Sequence, residues 1–470
     1  MSSPNLSRND SESTIVDVIV IGAGLSGLAS ANKLIAGGKS VILLEARDRI
    51  GGKVYDITLP NGHVVETGAE FVGPCQDRLL QIAKELGVET FKSHAAGKMV
   101  CYTNGERILY DPQETGGLVP LDEIAQLQMA TVVGSLDAMA QELDVVAPLD
   151  HPQAHVWDSM TLSSWLDNTI THPECRAVLD LTVKSLLSAE PTDVSLLQTL
   201  TYISRAGNEE NAGSLQRLVS IEGGAQESRF KGGPQLIATR LAEHIGDIVR
   251  LNSPVRTISR IEDIYHVNTE TATARGRNVI LALSPPLAGR ITFHPPLPAK
   301  RDLLTQKMPM GSLGKAIAIY KTPFWREDGL SGEAIGLQGV SVQSTLDSSP
   351  EDGSIGVMLG FLAGNTMRKF NSMTEEEIQA AVVEDYVKYF GLKARDVESW
   401  IIQRWDNEEF SRGGHFAICP PNVMTQYGTA ITEQIGNIFF AGTEASPYWS
   451  GFMDGAIRAG EAAAEKICKQ

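Results

Sequence analysis

Apolar positions along the chain fall into two textures. Short, mostly apolar runs at residues 16–21 and 40–44 flank residues 28–36, where apolar side chains recur every three or four positions. That pattern predicts strand, helix, strand. A helix is predicted at 77–86. Between residues 100 and 222 helical spacing dominates and predicts helices over 121–143, 161–168, 173–187 and 194–206, punctuated by Asp150-His151-Pro152 and Glu190-Pro191-Thr192-Asp193. From Phe230 strand-like runs return at 248–251, 255–258, 265–268 and 278–282, after a helix at 235–244. Strands at 314–320 and 355–362 and a helix at 375–389 follow. A strand at 438–441, a glycine turn and a helix at 455–468 close the chain. Strands alternating with helices place the chain in the α/β class.

The first strand runs straight into Gly22-x-Gly24-x-x-Gly27, and the second ends on Glu45. Gly22 permits a tight turn, Gly24 lets backbone approach a pyrophosphate, and Gly27 lets helix and sheet pack closely. The N-terminus of the helix that follows carries partial positive charge towards the phosphates. Glu45 is placed to accept hydrogen bonds from a ribose.

At 470 residues, two domains are expected. A net charge of −17 argues against nucleic acid and anionic membrane surfaces. The five cysteines form no C-x-x-C pair, so neither disulfides nor a metal site is expected. Residues 1–14 read as a flexible tail. With no apolar run of about 18 residues, a cytoplasmic protein without a membrane anchor is expected.

After Glu45 come Ala46, Arg47, Asp48, Arg49, Ile50, Gly51, Gly52 and Lys53, an extension that a simple dinucleotide fold does not need. This stretch resembles the signature of the flavin amine oxidases, within the glutathione-reductase-like FAD superfamily. Further segments match in order: Glu66-Thr67-Gly68-Ala69-Glu70-Phe71-Val72-Gly73, Phe230-Lys231-Gly232-Gly233-Pro234, Ser253-Pro254-Val255, Met310-Gly311-Ser312-Leu313-Gly314-Lys315, Phe439-Phe440-Ala441-Gly442-Thr443-Glu444 and Trp449-Ser450-Gly451-Phe452-Met453-Asp454-Gly455-Ala456. The monoamine oxidase branch is the most similar. The resemblance implies a Rossmann-type FAD-binding domain (residues 15–98, 225–308 and 410–470) and a discontinuous α+β substrate-binding domain (99–224 and 309–409). It implies oxidation of a small-molecule amine to an imine, with O2 reduced to hydrogen peroxide. A homodimer is usual among relatives.

The same resemblance suggests roles for individual residues. Gly22, Gly24, Leu25, Ser26, Gly27, Glu45, Ala46, Arg47, Gly51, Gly52, Lys53, Gly68, Ala69, Glu70, Val255, Gly414, Gly442, Thr443, Glu444, Gly451, Phe452 and Met453 would hold FAD. Lys315 would hold a water at the reactive edge of the flavin, with Trp405 beside it; a strand-edge lysine reaching solvent is the bland alternative. His415 and Phe452 take the places of two facing tyrosines that guide the amine, and Gln226 matches a glutamine of the substrate cavity. An imidazole at 415 would make substrate access pH-dependent. Gly414 stands where the monoamine oxidases carry their flavin-linking cysteine, and Cys419 lies five residues later, so FAD is expected to be noncovalent. Glu70 replaces a small or neutral residue; contact with a cationic amine, the adenine half or solvent stays open. Lys53 replaces an arginine, exchanging a bidentate fork for a point charge.

Other readings stand beside this one. An amino-acid oxidase needs a carboxylate-binding arginine, for which Arg205, Arg217 and Arg229 are candidates, and a polyamine oxidase needs an acidic tunnel. A desaturase or dehydrogenase would pass electrons to an acceptor other than O2, and a scaffold would retain flavin without turnover.

Overall fold

The computed structural model describes residues 14–115 and 119–470, so all but Thr14 of the expected tail lies outside the described residues. Two large sheets organise the chain. In the first, which has eight strands, Ile15–Ile21 sits between Val41–Leu44 and Thr273–Leu281 and runs parallel to both. Val18 and Val20 bury against one layer while Ile19 and Ile21 bury against the other. Burial on both faces explains why residues 18–21 of this strand read as an apolar run and not an alternation. Helix Leu25–Ala36 begins three residues earlier than its apolar spacing suggests, because Gly24 is its N-cap and the glycine turn leads straight into it. It packs on the C-terminal helix Met453–Cys468, and Ser30 Oγ donates to the Gly460 carbonyl at 2.9 Å.

The second sheet has seven strands, in the order Ser399–Arg404, Leu313–Tyr320, Gly356–Ala363, Ser344–Asp347, Leu330–Gly336, Lys98–Thr103, Glu106–Tyr110. Leu313–Tyr320 is therefore an interior strand, flanked antiparallel on both sides. Helix Glu375–Phe390 covers this sheet, with Tyr386 donating its hydroxyl to the Ala316 carbonyl at 2.9 Å. The hairpin at 98–110 corrects the helical reading of that stretch. Asn104 and Gly105 have φ of 52° and 81°, the Asn-Gly turn that matches strand twist, and that dipeptide was its sequence signal.

Between the two sheets in sequence lie helices Glu123–Gln141, Leu162–Thr169, Pro173–Leu187 and Leu196–Ser204, each within a few residues of its expected bounds. Three of their starts are set by side-chain caps, and Pro173 opens the fourth. Asp122 accepts from Ile124 and Ala125, Thr161 from Ser164, and Ser195 from Gln198. Among the described residues, no helix is long and apolar enough to cross a membrane.

Candidate functional site

A cavity of about 410 Å³ runs from the glycine turn of the first sheet to the interior strand of the second. Its first end is made largely of backbone. Gly22 takes φ +100°, and a Cβ on Gly27 would lie 1.8 Å from the Gly22 carbonyl oxygen. Only glycine allows this helix to start so close to its strand. Glu45 is buried and buckles the turn: Ala23 N–H donates to its Oε2 at 2.7 Å and Arg47 N–H to its Oε1 at 2.9 Å. Each oxygen keeps a second lone pair for a hydroxyl in the cavity. Gly51 N–H donates to the Ala23 carbonyl at 2.8 Å, and a Cβ on Gly52 would come within 3.2 Å of Gly24 Cα. The two glycine turns therefore meet through backbone alone. Arg47 is held by Ser411, whose Oγ accepts from its Nη2 at 2.9 Å.

Lys53 borders the middle of the cavity. Its Nζ donates to the His415 carbonyl at 2.9 Å, and burial pushes its pKa down to about 8. Among the described residues, no carboxylate lies within ion-pair distance of it. A desolvated cation without an ion-pair contact, beside a cradle free of side chains, suits a pyrophosphate.

The second end is made of side chains brought from distant parts of the chain. Lys315 is 4 % exposed and faces away from solvent. Its Nζ donates to Glu70 Oε2 at 2.8 Å and to the Glu66 carbonyl at 3.0 Å. The strand-edge alternative fails, because 315 lies on an interior strand, paired with Phe361 and Gln403. Trp405 follows the neighbouring strand and donates Nε1 to the Thr67 carbonyl at 3.1 Å, adjacent to the carbonyl that Lys315 uses. Glu66 to Glu70 thus form a platform that receives both residues. Glu70 is also buried, its carboxylate accepting from Lys315 and Ser348.

Aromatic rings complete this end. Phe452 stacks on Tyr202 with centroids 6.0 Å apart and meets Trp449 edge-on at 4.9 Å. His415 lies 3.4 Å by its Nε2 from the Tyr202 hydroxyl and 3.3 Å by its Nδ1 from Ser188 Oγ. Burial, helped by the nearby Lys53 charge, lowers the His415 pKa to about 4. That direction favours the neutral imidazole and speaks against pH-gated access. Gln226 lines the wall, with Nε2 on the Leu218 carbonyl at 3.1 Å and a buried Oε1 that has no partner.

Of the residues expected to face a cofactor or substrate, all but two line this cavity. Gly27 lies behind the turn, and Glu444 points away, its Oε1 accepting from Ala417 N–H at 2.9 Å. Sequence reasoning missed Tyr202, whose helical spacing marks it only as core. It also missed the partners of Glu70. Arg229 donates Nη2 to Glu66 at 2.6 Å and places Nε 3.2 Å from Glu70. The three arginines considered for carboxylate recognition are committed elsewhere: Arg205 to the Val145 carbonyl, Arg217 to the Ala206 and Ala212 carbonyls, and Arg229 to this acidic pair. None of them lines the cavity, and neither does any of the five cysteines.

Comparison with known proteins agrees with this geometry. The family model described as flavin containing amine oxidoreductase matches residues 25–468. The chain is 35% identical over 456 residues to amine oxidase [flavin-containing] B of Sus scrofa, covering 96% of this chain and 86% of that protein. The structure of putrescine oxidase bound to putrescine superposes with a TM-score of 0.92 at 31% identity, covering 97% of this chain and 100% of that one. Cyclohexylamine oxidase from Brevibacterium oxydans IH-35A superposes with a TM-score of 0.91 at 32% identity, covering 97% and 99%.

Proposed function

The chain belongs to the flavin-containing amine oxidoreductase family, whose cofactor is FAD, and on that premise we propose that it oxidises a small monoamine to an imine, with O2 as electron acceptor and hydrogen peroxide as product. The observation that carries this reading is a single cavity joining the Gly22–Gly27 turn to Lys315 and the rings of Tyr202, His415 and Phe452. FAD, when bound, supplies the two-electron acceptor for a C–H bond next to the amine nitrogen. Glu45, Arg47 and Lys53 would hold its ribose and pyrophosphate, beside the turn that carries Gly51 and Gly52. We assign residues 15–98, 225–308 and 410–470 to cofactor binding and 99–224 and 309–409 to the substrate side.

The protein's own contribution is polarity and position. Aromatic walls and a neutral His415 disfavour the ammonium form of a substrate, leaving the nitrogen lone pair available. Lys315 presents an N–H to the cavity from a fixed point and orders water there. Noncovalent retention is supported by the absence of any cysteine from the cavity wall.

The choice of a monoamine over a diamine rests on the carboxylates. Three line the cavity, and each is engaged: Glu45 by backbone N–H groups, Glu70 by Lys315, and Glu409 by Arg256 at 3.7 Å. Neither buried carboxylate, Glu45 or Glu70, is left free to pair with a second ammonium. Acid precipitation of the purified protein is expected to release all flavin into the supernatant. Turnover of a phenylalkylamine should then exceed that of spermine and of an amino acid, with one peroxide formed per amine consumed. Preferred turnover of spermine would refute the monoamine assignment, and a peroxide yield near zero would favour a dehydrogenase.

A further inference from the structure

Resting on the reading of Lys315 given above, we propose that Glu70 is the positioning residue that aims Lys315 into the cavity, a buried carboxylate anchor built into this chain.

Three observations carry this. The first is a count of donors. An ammonium has three N–H groups. Glu70 Oε2 takes one at 2.8 Å and the Glu66 carbonyl another at 3.0 Å, so one is left on the side that lines the cavity. With a single neutral acceptor the Nζ could rotate and shift along its flexible stem. With two acceptors on the platform its direction is set.

The second is that Glu70 is itself held. Ser348 Oγ donates to its Oε1 at 2.5 Å and Arg229 Nε lies 3.2 Å away, while Arg229 is fixed in turn by Glu66 and by the Ser349 carbonyl at 2.7 Å. Two buried cations face two buried carboxylates, and the group is contributed by four separate stretches of chain. Burial alone would raise the Glu70 pKa; the charges of Lys315 and Arg229 overcome it and hold the carboxyl below its usual range. Anchors of this kind are rigid because each charged member is held by at least one buried hydrogen bond.

The third is the cost that such an arrangement carries. Burying paired charges does not by itself stabilise a fold, and an apolar replacement is often as stable. Glu70 is therefore assigned to the reaction centre and not to stability.

The experiment compares Glu70→Gln, Lys315→Met and the double variant, each first shown to bind one FAD per chain. Glu70→Gln is expected to lower kcat about tenfold to a hundredfold, the scale on which small misplacements act, with KM for the amine little changed. The double variant should lose no more than Lys315→Met alone, because Glu70 acts through that lysine. The midpoint potential of bound FAD in Glu70→Gln should become more positive, since the wall loses a negative charge. A kcat within twofold of the wild type, additive losses in the double variant or an unmoved potential would each overturn the proposal. If Glu70→Gln does not fold, Ser348→Ala removes the anchor's own support without touching the cavity. It should lower kcat in the same direction by a smaller factor, and an unchanged kcat would overturn the proposal. Full turnover in Lys315→Met would instead sink the role given to Lys315, so the two failures are separable.

Discussion

The two ends of the cavity are built on different principles. The end at Gly22 and Glu45 is local: residues 15–45 supply a strand, a turn, a helix start and an acid, and backbone N–H groups do much of the work. The end at Lys315 is assembled from seven stretches, at residues 66–70, 202, 226–229, 315, 405, 415 and 452, that meet only in the folded chain. Backbone cradles tolerate little change in shape and much change in neighbouring side chains. A side-chain cluster behaves in the opposite way: its shape survives substitution while its electrostatics do not.

Gly27→Ala is the most damaging change expected, because its Cβ meets the Gly22 carbonyl oxygen at 1.8 Å and backbone cannot move aside. The cost should exceed the roughly 1–3 kcal/mol of ordinary overpacking, and flavin content measured by absorbance should fall to near zero. A yellow, stable Gly27→Ala protein would break the account of the first end. Lys315→Met is expected to retain FAD but lose turnover by about a hundredfold or more, measured as peroxide release. Loss of FAD together with activity would erase the distinction between the ends.

Lys53 sharpens the comparison through pH. Its pKa of about 8 without ligand must rise when an anion binds beside it, so binding takes up a proton. FAD affinity of the apoprotein should hold up to about pH 8 and then weaken, by up to about tenfold per pH unit; calorimetric titration at several pH values reads this directly. Lys53→Met should bind FAD more weakly and with a flat profile.

His415 gives the smallest effect. Its folded pKa of about 4 lies below the ordinary 6.5, so the unfolded chain takes the proton first as pH falls. The stability tied to its neutral form is complete above about pH 6.5 and is lost between there and about pH 4, with a slope of up to about 1.4 kcal/mol per pH unit. His415→Phe should flatten that window in denaturant titrations and leave turnover above pH 6.5 free of a histidine limb.

This contrast also decides what could be read from sequence. The glycine spacing, the two apolar runs and Glu45 are neighbours along the chain, so their geometry follows from local rules. Lys315 was recognisable as chemically unusual, an amine in an apolar strand, but nothing in its vicinity names Glu70 as its partner, 245 positions away. Tyr202 sits on a helix whose every residue is buried, and only the packing of that helix against the 415 and 452 loops turns a core ring into a wall of the site. The hairpin at 98–110 was signalled by Asn104-Gly105 and masked by the helical texture that follows it.

Anaerobic titration of the purified holoprotein with a phenylalkylamine tests the central claim most directly. The flavin band should bleach with one equivalent of amine and return when O2 is admitted, with peroxide appearing in equal amount. A band that stays unchanged with every amine offered, in protein shown to carry FAD, would contradict it.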